Sequence, residues 1–143
     1  MSERSMQVDE NVFARVLREQ SNLDELNHQV FEMLCSEMPA PQLAGVIYLS
    51  ADPAVCMTRI GVRSRAGEDH LTESFVRACH DHHERWVRQE EGRGTKICRI
   101  DVNANADYTE SSTWDPGAQW VQVARDFICG FLMQSYCNTC SIN

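Results

Sequence analysis

The segment AGVIYLSADPAVC, residues 44–56, decides the fold class of this 143-residue chain. Its first six residues, Ala44 to Leu49, form an unbroken apolar run, which is typical of a strand buried in a parallel sheet. The next residues turn the chain at Ser50 to Asp52, and Pro53 suits the first turn of a helix. The segment therefore predicts a central strand over residues 44–50, followed by a turn and a helix.

Helical patterns precede this segment. Apolar residues recur every three or four positions between Val12 and Leu34, which is the spacing of a helix face. Asp9 is the predicted N-cap, because its carboxylate can accept hydrogen bonds from the amides of the first turn. We expect a break near Ser21 and an end at Pro39.

Further elements follow the segment. Thr72 predicts the start of a helix whose apolar stripe is Phe75, Cys79, His83 and Trp86. Residues 96–102 read as a second strand, and a last helix follows a polar loop over residues 103–116. Helices that alternate with strands predict an α/β fold with a mostly parallel sheet flanked by helices. Two strands are fewer than the roughly four to six of a usual sheet, so either the pattern misses further strands or the fold is incomplete.

Composition excludes several classes of protein. The 13 Lys and Arg against 21 Asp and Glu give a net charge of −8, which argues against nucleic acid as the main partner. No run approaches the roughly 20 apolar residues of a membrane-spanning helix, and the start of the chain is polar and acidic. We therefore expect a cytoplasmic protein without a membrane partner.

The seven cysteines are interpreted as reduced thiols. Cys137 and Cys140 are interpreted as part of a C-terminal tail rather than as a zinc or redox motif.

Two polar clusters could carry chemistry. Arg59, Arg63 and Arg65 concentrate positive charge in an acidic chain, and guanidinium groups bind phosphate well. An equal alternative is a solvated face of salt bridges to Glu68 and Asp69.

The second cluster is the set His80, His83 and Glu84, whose spacing would allow a metal site. We favour histidines at the core edge and the surface, because His83 lies on the apolar stripe.

Five motifs stand out along the chain. The first is Glu3-Arg4-Ser5 with Asp9 and Phe13, and the others are IYL at residues 47–49, RxxxRxRxxE at 59–68, HxxHExW at 80–86 and IDVN at 100–103. With these motifs the chain resembles the deoxyribonucleoside kinases, which phosphorylate deoxynucleosides at the 5′-hydroxyl. The first motif is similar to their ERS…D…F segment, and RxxxRxRxxE is similar to their lid. The resemblance implies the parallel sheet and flanking helices of the P-loop nucleoside-kinase fold, and ATP and Mg²⁺ as cofactors.

The resemblance also assigns residues to the deoxynucleoside. Asp9 would bond the edge of the base, and Phe13 would pack on the base. Glu68 would accept a hydrogen bond from the 3′-hydroxyl of the sugar. An aspartate at position 9 is more similar to the deoxycytidine and deoxyguanosine kinases than to the thymidine type.

Other residues would serve the phosphates and ATP. Glu3 would help to hold the magnesium ion, and Arg4 would contact the 5′-oxygen and the phosphate. The lid would clamp the triphosphate with Arg59, Arg63 and Arg65. Asp107 and Tyr108 would line the adenine site.

The chain departs from the family at the phosphate-binding loop. The family begins with a strand and the motif GxxxxGK[ST], whose amides and lysine hold the phosphates. The single lysine here, Lys96, precedes a predicted strand and does not fit that motif. We therefore read residues 1–136 as the C-terminal part of a kinase-like domain, starting at the ERS motif, and residues 137–143 as a tail.

Three interpretations stay open at this point. The chain is a deoxynucleoside kinase or a fragment of one, or it is a non-catalytic nucleotide-binding or subunit protein derived from a kinase. The third is a degenerate remnant without activity. The sequence leaves undecided whether the chain is an enzyme. We expect a homodimer or a complementing N-terminal segment as partner, and no turnover by residues 1–143 alone.

Overall fold

The chain forms two compact units. The computed structural model describes residues 2–3, 5–38, 41–106 and 115–140, with the side chains of the last helix described for 116–131 and 133. The first unit consists of Met1–Ala44 and Asp52–Lys96, and its described elements are mainly helices. The second unit consists of Gly45–Ala51 and Ile97–Asn143 and contains the sheet.

The sheet pairs two parallel strands, β1 (Gly45–Ser50) and β2 (Lys96–Asp101). Just past β2, the amide of Val102 donates to the carbonyl of Ser50 at 2.9 Å, so the carboxyl ends of both strands lie together. The α/β class and the parallel strand within residues 44–50 are confirmed. Burial is less complete than the apolar run predicts, because Leu49 is 58% exposed in the described structure.

The last helix, α6 (Pro116–Cys140), contacts the start of β1. A Cβ atom on Gly45 would lie 2.6 Å from Cζ of Phe131 and 3.1 Å from Cζ of Phe127. These two rings pack edge to face with their centroids 5.1 Å apart. Glycine is therefore the residue that lets α6 approach the strand.

The backbone of α6 is helical through Cys137 to Cys140, across the predicted boundary at residue 136. The side chains of these two cysteines lie outside the described part of the chain, and the boundary stays a prediction. Across the described residues, no helix is both long enough and apolar enough to cross a membrane.

The first helical segment starts earlier than the sequence predicts. It runs through α1 (Met6–Val8), a π-helical turn (Asp9–Phe13) and α2 (Ala14–Glu19). The prediction that Asp9 is the N-cap is wrong, because its own amide already donates to the carbonyl of Ser5 at 3.2 Å. The predicted break is confirmed at Ser21, whose φ of 57° ends the helical run.

The next helix, α3 (Glu25–Glu37), carries a row of exposed apolar side chains. Asp24 caps it by accepting a hydrogen bond from the amide of Asn27 at 2.8 Å. The exposed row consists of Leu26, Val30, Met33 and Leu34, and Met38 just past the helix end is exposed as well. The helix ends at Glu37, just before Pro39, which lies outside the described residues.

The helices α4 (Pro53–Arg63) and α5 (Glu73–Gly92) begin where the sequence predicts. Asp52 accepts a hydrogen bond from the amide of Ala54 at 2.8 Å, and Thr72 accepts one from Phe75 at 3.2 Å. The buried side chains of α5 are His82, Trp86, Val87 and Glu90. The buried stripe thus includes Trp86 as predicted, but His82 is more deeply buried than the predicted His83.

Candidate functional site

Helix α5 supports both groups of predicted site residues in the first unit. It packs against α4, which carries Arg59 and Arg63, and against the π-helical turn, which carries Asp9 and Phe13. It also packs against α2. Helix α5 therefore contacts both the turn that carries the predicted nucleoside-binding residues and the helix that carries two of the predicted phosphate-binding arginines.

The ring of Phe13 is fixed by a contact with α5. It meets the ring of His83 edge to face, with the centroids 5.6 Å apart and the planes at 81°. His83 is itself held by a 2.7 Å hydrogen bond between Nδ1 and the carbonyl of Cys79, which requires the proton on Nδ1. His83 thus has a packing role within this unit.

Asp9 and Phe13 are the first and last residues of the π-helical turn. Such turns are rare and occur frequently at functional sites. Sequence reasoning missed this one, because the spacing of apolar residues indicates a helix without distinguishing a π-helical turn from an α-helical one. Asp9 is exposed, so its carboxylate is accessible to a ligand.

The lid residues lie on the second half of α4 and in the turn that follows it. The Arg63 guanidinium donates from Nη2 to Oε1 of Glu68 at 2.6 Å and from Nε to Oε2 at 3.2 Å. Arg59 is half-buried on α4, and Arg65 is exposed beyond it. The salt bridge to Glu68 that the sequence left as an alternative is therefore present for Arg63.

The remaining predicted residues are only partly described. Glu3 is exposed near the start of the chain, and its role as a magnesium ligand stays a prediction. Arg4, Asp107 and Tyr108 lie outside the described residues. Within the part of the chain that the structure describes, no group of three His, Cys, Asp or Glu side chains could hold a metal ion, and that part includes His80, His83 and Glu84.

The structure adds one polar contact that the sequence did not predict. The buried His82 of α5 places Nε2 3.0 Å from both carboxylate oxygens of Glu19, the last residue of α2. Arg85 approaches Nδ1 of the same ring at 3.3 Å. The pair fastens α2 to α5, and no local pattern could have revealed it, since the partners are 63 residues apart.

Cys35 on α3 lies near the carboxylates of the π-helical turn. Burial raises the pKa of its thiol, and the negative charges of Glu10, Asp9 and Glu32 raise the pKa further. The thiolate is thus disfavoured here, which argues against a nucleophilic role for Cys35.

These features define a class of protein. The α/β fold with parallel strands and flanking helices is that of a nucleoside-kinase-like fold, and α4 with the turn after it carries the arginine-rich segment. A family model described as deoxynucleoside kinase matches residues 1–122. The chain belongs to the deoxynucleoside kinase family.

Relatives with assigned names agree with this family. The chain is 25% identical over 113 residues to the probable deoxycytidine kinase of fowlpox virus (strain NVSL), covering 77% of this chain and 48% of the relative. It is 33% identical over 90 residues to the mitochondrial deoxyguanosine kinase of Xenopus laevis, covering 59% and 34%. It is 30% identical over 104 residues to deoxycytidine kinase 2 of Gallus gallus, covering 69% and 37%. The chain thus spans about half or less of the length of these relatives.

Proposed function

We propose that this chain provides the nucleoside-binding and lid part of an ATP-dependent deoxynucleoside kinase that acts in nucleotide salvage. The reaction transfers the γ-phosphoryl group of ATP to the 5′-hydroxyl of a deoxynucleoside. The observation that carries the proposal is the packing of α5 against both the π-helical turn and α4. Membership of the deoxynucleoside kinase family supports the same reaction.

The proposed nucleoside site lies on the π-helical turn. The Phe13 ring, held by His83, offers a flat apolar surface on which a base can stack. The exposed carboxylate of Asp9 can accept hydrogen bonds from an amino group at the edge of a base. We propose a base of the deoxycytidine or deoxyguanosine type, in keeping with the names of the relatives.

The proposed phosphate site is the lid. Arg59, Arg63 and Arg65 would contact the triphosphate, since phosphoryl transfer depends on positioning and on stabilising charge on the phosphoryl oxygens. Arg4 would contact the 5′-oxygen, and Asp107 with Tyr108 would contact the adenine. The Glu3 carboxylate is the kind of oxygen ligand that Mg²⁺ prefers, and the ion when bound supplies charge neutralisation at the phosphates.

We also propose that residues 1–143 need a partner for turnover. They contain no GxxxxGK[ST] sequence, so the amides and the lysine that hold the phosphates must come from elsewhere. A complementing segment with that loop would supply them. A second copy of the chain lacks the loop as well, so a homodimer would contribute association only. The exposed apolar row of α3 supports association, because an apolar surface gains free energy when it is covered.

A phosphotransfer assay tests the proposal. The chain would be incubated with ATP, Mg²⁺ and each of the four deoxynucleosides, alone and after joining to a family segment that carries the P-loop. We expect no turnover by the chain alone and turnover by the joined protein. In the joined protein, Arg63→Ala should lower kcat by about 100-fold or more, because a clamping arginine can contribute 10³ or more.

Arg88→Ala is the matched control, because this exposed arginine of α5 lies outside the lid and should be neutral. Turnover by residues 1–143 alone would refute the need for a partner. A folded joined protein that binds nucleotide without turnover would refute the kinase proposal and support the non-catalytic alternative.

A further inference from the structure

The ion pair between Arg63 and Glu68 uses one particular edge of the guanidinium. The two hydrogen bonds come from Nε and Nη2, which is the side-on arrangement. A guanidinium has five N–H donors, so this pair leaves three of them, including both on Nη1. Two of those three, one on Nη1 and one on Nη2, form the end-on edge, which can bind a second planar or tetrahedral anion in bidentate fashion.

The backbone between the two residues holds the pair in place. Ser64 ends α4 in the left-handed region with φ of 45°, and its hydroxyl donates to the carbonyl of Gly61 at 2.6 Å. The amide of Glu68 donates to the carbonyl of Arg65 at 3.1 Å. The segment is thus a closed turn whose two ends are joined by the ion pair.

We infer that Glu68 is a positioning residue of the lid, which holds Arg63 side-on so that its end-on edge faces a bound phosphate. This inference rests on the proposed function and deepens it, since the resemblance assigns Glu68 only to the 3′-hydroxyl. The side chain of Glu68 is 21% exposed and that of Arg63 46% exposed, so the carboxylate is the more sheltered partner. The less exposed Glu68 carboxylate can therefore orient the more exposed Arg63 guanidinium.

The two roles of Glu68 are compatible. An ionised carboxylate has about four lone-pair sites, and the pair with Arg63 uses two of them. A hydroxyl can donate to one of the others without breaking the ion pair. Glu68 would therefore connect the sugar of one substrate to the phosphate clamp of the other.

The test combines a spectroscopic signature with an anion titration on the full 143-residue chain. In ¹⁵N-labelled protein, the Nε–H signal of Arg63 is identified by its loss in Arg63→Lys. We expect its exchange with water to be slower in wild type than in Glu68→Asp, which keeps the charge but shortens the side chain. Inorganic tripolyphosphate at low ionic strength is the probe, and we expect Glu68→Asp to bind it about two- to fivefold more weakly, as an exposed ion pair allows.

Asp69→Asn is the matched control, because it changes the charge beside Glu68 without touching the pair. It should leave Nε–H exchange unchanged and bind tripolyphosphate at least as tightly as wild type. If Glu68→Asp matches wild type in both measurements, the inference is overturned. If wild type binds no tripolyphosphate, the proposed phosphate role of the lid fails, and the exchange difference alone then decides whether Glu68 positions Arg63.

Discussion

Removing the side chain of Arg93 should lower the free energy of unfolding more than the removal of an exposed side chain usually does. Glu90, near the end of α5, is only 6% exposed, and its carboxylate accepts a 2.6 Å hydrogen bond from Nη1 of Arg93. Its other oxygen accepts a 3.0 Å hydrogen bond from the hydroxyl of Thr95. Arg93→Ala therefore leaves a buried carboxylate without its cation.

The magnitude follows from the environment of the pair. Breaking a fully buried ion pair costs about 3 to 5 kcal/mol, and a hydrogen bond to a charged group contributes about 1.5 to 3 kcal/mol. Since the side chain of Arg93 is 68% exposed, water can solvate the Glu90 carboxylate in the variant and replace part of the lost hydrogen bonding. We expect Arg93→Ala to lower the free energy of unfolding by about 2 kcal/mol.

The assay is urea unfolding followed by circular dichroism. The matched control is Arg88→Ala, an exposed arginine of the same helix whose Nε donates to the carbonyl of Glu84 at 3.1 Å. It should cost about 0.5 kcal/mol or less, as a surface substitution usually does.

A double-mutant cycle separates this ion pair from any effect of Arg93 on the helix end. Glu90→Gln should destabilise the wild type by about 1 to 2 kcal/mol, because the charge-assisted hydrogen bond is lost. In the Arg93→Ala background it should be neutral or stabilising, because it removes an unpaired buried charge. Costs that simply add, or equal costs for Arg93→Ala and Arg88→Ala, would refute the reasoning.

Two further predictions concern packing and pH. Gly45→Ala should lower the free energy of unfolding by about 1 to 3 kcal/mol, because the added Cβ atom clashes with Phe131. Gly130→Ala in α6 meets no atom within 4 Å and should raise the free energy of unfolding by up to about 1 kcal/mol. Urea unfolding in which both substitutions change the free energy of unfolding in the same direction would contradict this prediction. Hydrogen bonds from Asn27 lower the pKa of Asp24 below its ordinary value of 3.8. The ionised Asp24 carboxylate therefore stabilises the start of α3 above pH 3.8, and this stabilisation is lost as the pH falls through the lowered pKa. Asp24→Ala should therefore reduce helicity at neutral pH but not in strong acid, and a loss that persists in acid would count against the cap.

Much of the local structure could be predicted from the sequence. The apolar run at residues 44–49, the helix start at Pro53, the cap Thr72 and the break at Ser21 all act through neighbouring residues, and all appear in the structure. The motif spacing likewise indicated the family that residues 1–122 match. The cap at Asp9 was predicted wrongly because Ser5 already accepts from the first amides, one turn earlier.

Only the tertiary structure decided which partner each polar side chain takes. The sequence left Arg63 between a phosphate clamp and a salt bridge, and the turn after α4 brings it to Glu68. It did not show that His82 lies buried against Glu19, because those residues come together only when α2 packs on α5. Local patterns restrict backbone angles over a few residues, whereas contacts between distant elements depend on how the whole unit packs. That is why the sequence could propose candidate site residues but could not decide which partner each of them takes.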